Sequence, residues 1–299
     1  MYVRFYDLRE RPFDLTPNPR FLVATEIHRE ALANLQYALT GRKGITLLVG
    51  EAGAGKTTVI RAAIEEQSEA THCVHLRNPA LTRDEFVEML AAQFGLSERA
   101  RTSKTALLLE LEELLRQRHA AEEATALVID EAHLLSCELL EEVRLLANIE
   151  TDSEKLMSLV LAGQREIADR LNDPALSQLK QRVELRCELG PLERRETFAY
   201  IVGRIAAAGG VSRNLFTREA VELIHERSKG NPRTINVISD NALIAGLALQ
   251  QRPVTVQTVS EVCRDFDIGS VDAPSPLSSP PPAQPAAEGW LGQRLARRR

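Results

Sequence analysis

Residues 50–57 read Gly50-Glu51-Ala52-Gly53-Ala54-Gly55-Lys56-Thr57, which fits the pattern G-x-x-x-x-G-K-[ST] without a mismatch. The stretch joins an apolar run at 45–49 to a helical pattern that begins near Lys56, so it connects a predicted strand to a predicted helix. Glycines at such a turn let backbone N–H groups surround a phosphate, and the helix N-terminus adds positive potential. We expect Lys56 to reach the β- and γ-phosphates of ATP and the Thr57 hydroxyl to ligate Mg²⁺. The predicted nucleotide-binding residues of this turn are Gly50, Gly53, Ala54, Gly55, Lys56, Thr57 and Thr58.

A second apolar run, at 125–130, ends in the acidic pair Asp130-Glu131. At the carboxyl edge of a parallel sheet, Asp130 is placed to hold Mg²⁺ through its water shell. Glu131 is then placed to orient and deprotonate a water molecule, which favours hydrolysis over binding alone. Two solvated loop carboxylates are the alternative, and the complete P-loop pattern upstream argues against it. His133, two residues further on, is interpreted as a structural residue of the loop.

Short β-branched runs alternate with helical patterns up to residue 190, and this order predicts an α/β fold. Because the strands are apolar throughout, we expect a parallel five-stranded sheet covered by helices on both faces, as in P-loop NTPases. The predicted strands are 45–49, 71–76, 125–130, 157–162 and 183–187. The predicted helices of this part are 26–40, 55–67, 83–95, 104–118, 137–149 and 164–172.

The chain divides into three predicted regions. Residues 1–190 are expected to form the α/β core, with an ordered but irregular N-terminal arm that carries several prolines. Residues 191–268 show only helical periodicity, at 192–208, 217–228, 232–249 and 256–266, so they predict a small all-α lid. Residues 269–299 are rich in Pro, Ser and Ala and end in a basic segment, a composition that predicts disorder.

Three further polar residues are candidates for the site. Gln164 follows the fourth strand and is expected to sense the γ-phosphate, with a helix cap as the alternative. Arg233 lies in Asn231-Pro232-Arg233 at a helix start, where its charge opposes the helix dipole, so a phosphate contact is favoured over a surface position. Arg182 precedes the last strand and is a candidate for stabilising transition-state charge in a neighbouring subunit, although a solvated basic turn stays open.

Net charge, cysteine spacing and the length of the apolar runs limit the classes of function that fit this sequence. The net charge of −5 argues against a protein covered in nucleic-acid-binding surface. The four cysteines have no metal-type spacing, and no apolar run approaches the roughly 20 residues of a membrane span. A cytoplasmic location is expected, while peripheral association with the inner membrane through the tail or through a partner stays open. In the tail, Trp290-Leu291 and the terminal arginines fit a solvated basic segment better than a docking motif.

Taken together, the motifs resemble one family, the AAA+ (ASCE) ATPases of the general secretion pathway A type, which are related to pilus, exopolysaccharide and transposition-helper ATPases. The resemblance spans about residues 1–268 and rests on these stretches: 13–21 in the arm, the P-loop, Asp130 to His133, 162–164, Gln181-Arg182 and 230–233. It implies Walker A and B roles for Lys56, Thr57, Asp130 and Glu131, sensor roles for Gln164 and Arg233, and ring-type self-association. Secretion members continue into a membrane helix and a peptidoglycan-binding region, so direct cell-wall contact is not expected of the Pro-rich segment found here.

The predicted function is therefore an ATPase that drives assembly or remodelling of an envelope machine of the secretion, pilus or exopolysaccharide type, together with a protein partner from that machine. An ATP-dependent DNA-binding helper of transposition is the alternative, and DNA is the less favoured partner because of the acidic net charge. A GTPase is disfavoured because the chain has no Asn-Lys-x-Asp string, and a small-molecule kinase would have no need of the lid.

Overall fold

The structure is a computed structural model that describes residues 1–23, 25–41, 43–77 and 80–268. These residues fall in one compact unit, Met1–Gly269. The predicted disordered tail, with Trp290 and the terminal arginines, lies outside the described residues. Among the helices that are described, none has both the length and the hydrophobicity needed to cross a bilayer.

A five-stranded parallel sheet forms the centre of the α/β core. Its strands are β1 (Ile45–Gly50), β2 (Thr71–Leu76), β3 (Ala124–Ile129), β4 (Ser158–Gly163) and β5 (Val183–Leu189). The strand order is β2-β3-β4-β1-β5, and every neighbouring pair is parallel. The predicted fold class and all five strands are confirmed. Since β1 lies between β4 and β5, the loops that follow β1, β3 and β4 meet at the carboxyl edge of the sheet.

Helices cover both faces of this sheet, which explains why β1 is buried at all six positions. In β1, Leu47 and Val49 pack with the helices between β2 and β5, whereas Leu48 faces the helices on either side of the P-loop. The helices of the arm and core are α1 (Tyr2–Phe5), α2 (Glu26–Thr40), α3 (Lys56–Glu65), α4 (Arg83–Gln93), α5 (Glu98–Thr102), α6 (Lys104–Ala120), α7 (Cys137–Leu146), α8 (Arg165–Arg170) and α9 (Ser177–Lys180).

Four helices follow the sheet where the periodicity predicts helices, and we refer to them as the lid: α10 (Arg194–Ala207), α11 (Arg218–Ser228), α12 (Pro232–Ala248) and α13 (Val256–Asp265). Their apolar faces share one hydrophobic cluster. The N-terminal arm supplies much of the remainder of that cluster, through Tyr2, Tyr6, Leu8, Phe13 and Phe21. The arm is predicted to belong with the α/β core, but its apolar side chains pack against the lid helices.

A buried arginine of the lid holds the arm in place. Arg204 donates from Nε to the carbonyl of Pro12 at 2.6 Å and from Nη2 to the carbonyl of Asp14 at 3.2 Å. Its guanidinium also lies over the Phe21 ring, 4.9 Å from the centroid. On the core side, Arg61 of α3 donates to the carbonyl of Pro17 at 2.6 Å. The arm therefore lies between the lid and the core and contacts both.

Candidate functional site

The P-loop turns sharply out of β1 and leads into α3. Gly53 and Gly55 have φ values of 84° and 98°, in the left-handed region that glycine adopts without a Cβ penalty. Lys56 is the first residue of α3 and only 5% exposed. Its Nζ donates to the carbonyls of Gly50 at 2.8 Å and Glu51 at 3.1 Å, so the amine lies across the concave side of the loop. This is the predicted strand–turn–helix context.

Burial and nearby carboxylates act in opposite directions on Lys56. Desolvation lowers the pKa of its amine, while the charges of Glu131 and Asp130 raise it in part. The first effect is the larger, so the net shift is downward. A phosphate in the loop would supply further negative charge to this desolvated ammonium, which makes anion binding favourable here.

Two oxygen groups meet beside the loop, and they fit a magnesium site. The Thr57 hydroxyl donates to Oδ2 of Asp130 at 2.6 Å, and Asp130 is 2% exposed. The other carboxylate oxygen, Oδ1, accepts from the backbone N–H of Glu131 at 2.9 Å. Mg²⁺ prefers oxygen ligands and keeps several waters, so a hydroxyl and one carboxylate next to a phosphate loop are a suitable donor set. The structure thus brings together Thr57 and Asp130, which lie far apart in the sequence.

Glu131 follows Asp130 in a left-handed conformation, with a φ of 54°. Such a backbone costs a non-glycine residue roughly 1–2 kcal/mol, so the surrounding contacts must hold it. Its carboxylate is 41% exposed, and Oε2 lies 3.5 Å from Nδ1 of His133. The carboxylate is therefore open to water at the edge of the sheet, beside the buried Asp130.

His133 connects the acidic pair to the fourth strand. Gln164, directly after β4, donates its backbone N–H to Nδ1 of His133 at 3.4 Å, and its side-chain amide lies 3.0 Å from Nε2. When Nδ1 accepts, the ring proton sits on Nε2, and the Gln164 amide accepts that proton once it is turned so that its oxygen, and not its nitrogen, faces the ring. Gln164 makes no capping hydrogen bond with its side chain. The loop position of His133 is as predicted, but its contact with Gln164 was not.

The lid touches the P-loop directly at the start of α12. Asn231 caps this helix by accepting from the N–H groups of Arg233 and Thr234, and Pro232 occupies the first turn, as predicted. The Asn231 amide also donates to the carbonyl of Ala52 at 2.9 Å, and the Arg233 N–H points to the carbonyl of Gly53 at 3.3 Å. The approach is close, since a methyl group at Gly53 would lie 2.5 Å from Cβ of Arg233.

His28 of α2 is a site residue that the sequence analysis missed. Its ring is 4% exposed, and Nδ1 lies 2.8 Å from the Thr25 hydroxyl. Burial lowers the pKa of this imidazole, and a hydrogen bond with the backbone of Ala54 partly opposes that shift. A Cβ placed on Gly55 would lie 3.4 Å from Nε2 of His28. The residue thus joins the end of the arm to the P-loop.

His75, at the end of β2, is a second residue that was missed. Its Nε2 lies 4.0 Å from Oδ2 of Asp130. The same atom is buried and has no hydrogen-bond partner among the described residues. Burial lowers the pKa of His75 and the charge of Asp130 opposes that change, so a largely neutral ring lines the acidic side of the site.

Arg182 lies away from all these residues. Its carbonyl accepts from the N–H of Ile45, so it stands where β1 and β5 begin. The P-loop follows the other end of β1, at a distance of about 17 Å along a six-residue strand. The structure therefore does not bring Arg182 to the phosphate loop of its own chain.

The AAA domain family matches residues 39–171, from the end of α2 to the end of α8. General secretion pathway protein A of Aeromonas hydrophila is 39% identical over 248 residues, which cover 83% of this chain. The chain is an AAA-type P-loop protein related to general secretion pathway protein A. The resemblance predicted from the motifs is confirmed, and the match spans 45% of the length of that relative.

Solved structures with the same fold come from other systems. Cdc6p of Pyrobaculum aerophilum has a TM-score of 0.65 at 18% identity, covering 87% of this chain and 72% of that protein. The ORC2 protein of Aeropyrum pernix has a TM-score of 0.63 at 17% identity, covering 88% and 73%. The RuvB branch-migration motor of Thermotoga maritima has a TM-score of 0.51 at 18% identity, covering 81% and 70%. At these identities, the similarity shows the fold alone.

Proposed function

We propose that this chain binds Mg-ATP and hydrolyses it to ADP and phosphate. The observation that carries the proposal is the hydrogen bond of 2.6 Å between Thr57 and Asp130, next to the buried Lys56. It places a hydroxyl, a carboxylate and an ammonium around one phosphate-sized loop, which is the arrangement that phosphoryl transfer needs. Gly50, Gly53, Ala54, Gly55 and Thr58 complete the loop with backbone and side-chain groups of the same turn.

The residues have separate roles in this proposal. Mg²⁺, when bound through Thr57 and Asp130, supplies positive charge that neutralises the phosphate oxygens. Lys56 holds the β- and γ-phosphates. Glu131 is the general base, because its carboxylate is open to solvent and able to accept a proton from water.

Gln164 and Arg233 are the proposed sensors of the γ-phosphate. The side chain of Gln164 contacts His133, whose ring lies 3.5 Å from the Glu131 carboxylate, so a shift of Gln164 that moved the ring would change the surroundings of the general base. Arg233 begins the lid helix whose backbone touches Gly53, and a phosphate contact from its exposed side chain would draw the lid onto the loop.

Self-association into a ring gives Arg182 its role in the proposal. Because Arg182 stands at the amino edge of the sheet, only the nucleotide of a neighbouring subunit is within its reach. There its guanidinium would stabilise the negative charge that develops on the transferred phosphoryl group.

The work that hydrolysis drives is proposed to be assembly or remodelling of a cell-envelope machine, in contact with a protein of that machine. The relation to general secretion pathway protein A supports this part. We place the chain in the cytoplasm, with peripheral attachment to the inner membrane through its partner.

Two substitutions test hydrolysis. Lys56→Ala should abolish nucleotide binding, measured by fluorescence of a labelled ATP analogue. Glu131→Gln should leave binding intact and reduce phosphate release at least about 100-fold, since it removes the base without altering shape. Glu69→Gln, at an exposed glutamate beyond the end of α3, is the matched control. Unchanged phosphate release in Glu131→Gln would remove the proposed mechanism, and an unchanged envelope phenotype in both variants would remove the proposed work.

Arg182→Ala tests the ring. Phosphate release should fall at least about tenfold while nucleotide affinity stays constant, because the arginine acts only in the transition state. Mixing it with Glu131→Gln should restore part of the activity if arginine and base come from different subunits. A mixture no more active than its components would indicate that Arg182 has no role in trans.

A further inference from the structure

A groove on the outer surface of the lid stands apart from the nucleotide site. It has a volume of about 730 Å³ and lies between α10, the 3₁₀ turn Ser212–Asn214 and α11. Its floor is apolar and includes Phe198, Ile201 and Phe216, while Val202 on its wall is 45% exposed. An apolar surface left open on a lid helix is typical of a contact site.

Arginines surround this apolar floor. Four of them line the groove, Arg194, Arg195, Arg213 and Arg218, against a single carboxylate, Glu222. Glu222 accepts from Arg194 at 2.6 Å and lies 3.4 Å from Arg218. Arg195 and Arg213 have no ion-pair partner in the part of the chain that the structure describes. Four positive charges and one negative charge leave a local excess of three, in a chain whose net charge is −5.

The opposite face of α10 belongs to the arm, which separates this groove from the P-loop. Gly203 packs against Val23, and Arg204 binds the carbonyls of Pro12 and Asp14 on that side. Residues 202 and 204 lie about 200° apart around a helix, so Val202 and Arg204 point in nearly opposite directions. The groove is therefore free for a macromolecular contact while the arm and the site stay occupied.

The α/β core carries a surface with the complementary character, on α6. Leu109 is 65% exposed on this helix and lies outside the hydrophobic clusters of the core. Glu112 and Glu113 lie one turn further along the same side. Glu112 pairs with Arg116 at 2.7 Å, whereas Glu113 has no cationic partner among the residues described. We call Leu109, Glu112 and Glu113 the acidic leucine face.

We propose that the lid groove receives the acidic leucine face of a second copy of this chain. Leu109 enters the apolar floor near Phe198 and Val202, and Glu113 approaches the unpaired Arg195 and Arg213. Burial of the leucine together with the apolar floor of the groove gives the hydrophobic part of the association energy, while the charges fix the orientation. The two surfaces differ, so the contact is head-to-tail, and repetition of such a contact produces a closed ring or a filament. The inference rests on the ring association of the proposed function and assigns an interface to it.

Other occupants fit the groove less well. The C-terminal residues Arg297 to Arg299 carry the same charge as the rim. A nucleic-acid backbone would match the arginines but would leave the apolar floor unfilled. A face that combines glutamates with a projecting leucine satisfies both properties of the groove.

Complementary variants of the full chain test the interface. The groove variant carries Arg195→Glu and Arg213→Glu, and the helix variant carries Leu109→Arg and Glu113→Arg. Each keeps one intact surface but lacks its counterpart, so each should self-associate at least about tenfold more weakly than wild type. A one-to-one mixture should form a dimer, because the intact groove of one variant meets the intact helix of the other. Sedimentation velocity with and without Mg-ATP measures these species.

Arg4→Glu combined with Arg264→Glu is the matched control for the groove variant. It makes the same charge change on two exposed arginines elsewhere and should associate as wild type does. Circular dichroism melts and nucleotide binding confirm that each variant is folded. The inference is overturned if both variants associate like wild type, or if their mixture stays monomeric. It is also overturned if deletion of 269–299 strengthens association, which would identify the tail as the occupant, or if only the groove variant loses affinity for a DNA duplex. A wild-type chain that is monomeric under all conditions would remove both the ring and this interface and would leave the hydrolysis tests unaffected.

Discussion

The core and the lid contribute to the nucleotide site in different ways. In the core, Lys56 and Asp130 are 5% and 2% exposed and are held by hydrogen bonds of 3.1 Å or less. The lid contacts the same loop only through groups at the lid surface. These are the side-chain amide of Asn231 and the backbone N–H of the exposed Arg233. Phosphate binding is thus built into a preformed interior, whereas the lid contact involves few atoms and is able to break without disturbing the core. This difference suits a switch in which the core binds and the lid responds.

The largest effect should come from the interior of the core. Asp130→Asn keeps the size of the side chain and removes its charge, so phosphate release should fall at least about 100-fold. Because a buried carboxylate is costly to desolvate, the free energy of unfolding should stay constant or increase. A malachite-green assay and urea denaturation measure the two quantities, with the exposed Asp152→Asn as the control. A destabilised variant would show that Asp130 has a structural role beyond its proposed one.

The second-largest effect should be a loss of stability when the contacts between the arm and the lid are removed. Arg204→Met removes donors to the carbonyls of Pro12 and Asp14 and to the Tyr200 hydroxyl, so the free energy of unfolding should fall by about 3 kcal/mol. The arm should also become sensitive to limited proteolysis. Arg4→Met, at an exposed position in the same arm, is the control. Equal stability of the two variants would mean that the arm does not depend on the lid.

A pair of glycine variants isolates the contact between lid and loop. Gly53→Ala and Gly95→Ala both place a methyl group on a backbone with positive φ, 84° and 69°. The methyl group at Gly95 meets nothing within 4 Å, whereas that at Gly53 meets Arg233 at 2.5 Å. Gly95→Ala should lose about 1 kcal/mol of stability and Gly53→Ala more, because its methyl group must displace Arg233, and Gly53→Ala alone should lose nucleotide affinity. Calorimetric melting and nucleotide titration compare them, and equal affinities would argue against a lid closed on the loop.

The smallest expected effect is a change in how the free energy of unfolding depends on pH. Because burial lowers the pKa of His28 below its usual 6.5, the unfolded chain gains a proton there that the native chain does not bind. Stability is therefore lost as the pH falls through about 6.5 toward the lower native value. His28→Asn should flatten this acid dependence in denaturation curves at several pH values. An unchanged slope would mean that other groups dominate the acid response.

The sheet and the lid helices could be predicted because their apolar patterns are local. Each predicted strand lies within two residues of its observed bounds, since runs such as 45–49 are buried along their whole length. The arm is predicted to belong to the core only because it directly precedes the core in the sequence. Its aromatic residues pack instead with helices almost 200 residues away, which no local pattern reports.

The meeting of Lys56, Thr57 and Asp130 at one loop could be predicted for a related reason. Lys56, Thr57 and Asp130 belong to motifs whose spacing carries their chemistry. His28 and His75 act through tertiary contacts with Ala54 and Asp130, so their sequence neighbours do not reveal them. The helical spacing does indicate that His28 is buried. His28 lies three residues before Ala31 and seven before Leu35, which places it on the buried side of the predicted helix.

The packing of the arm into the lid has a mechanical consequence. The polypeptide passes between lid and core at two places, just after Val23 and at residues 190–192, and at the second the Leu192 N–H donates to the Gly230 carbonyl at 2.9 Å. The line through these two chain connections defines an axis for rotation of the lid relative to the core. Rotation of the lid about that axis leaves both connections at constant length, while sliding or twisting in other directions would stretch one of them. Opening and closing should therefore follow a single arc, with the start of α12 as the edge that meets the P-loop.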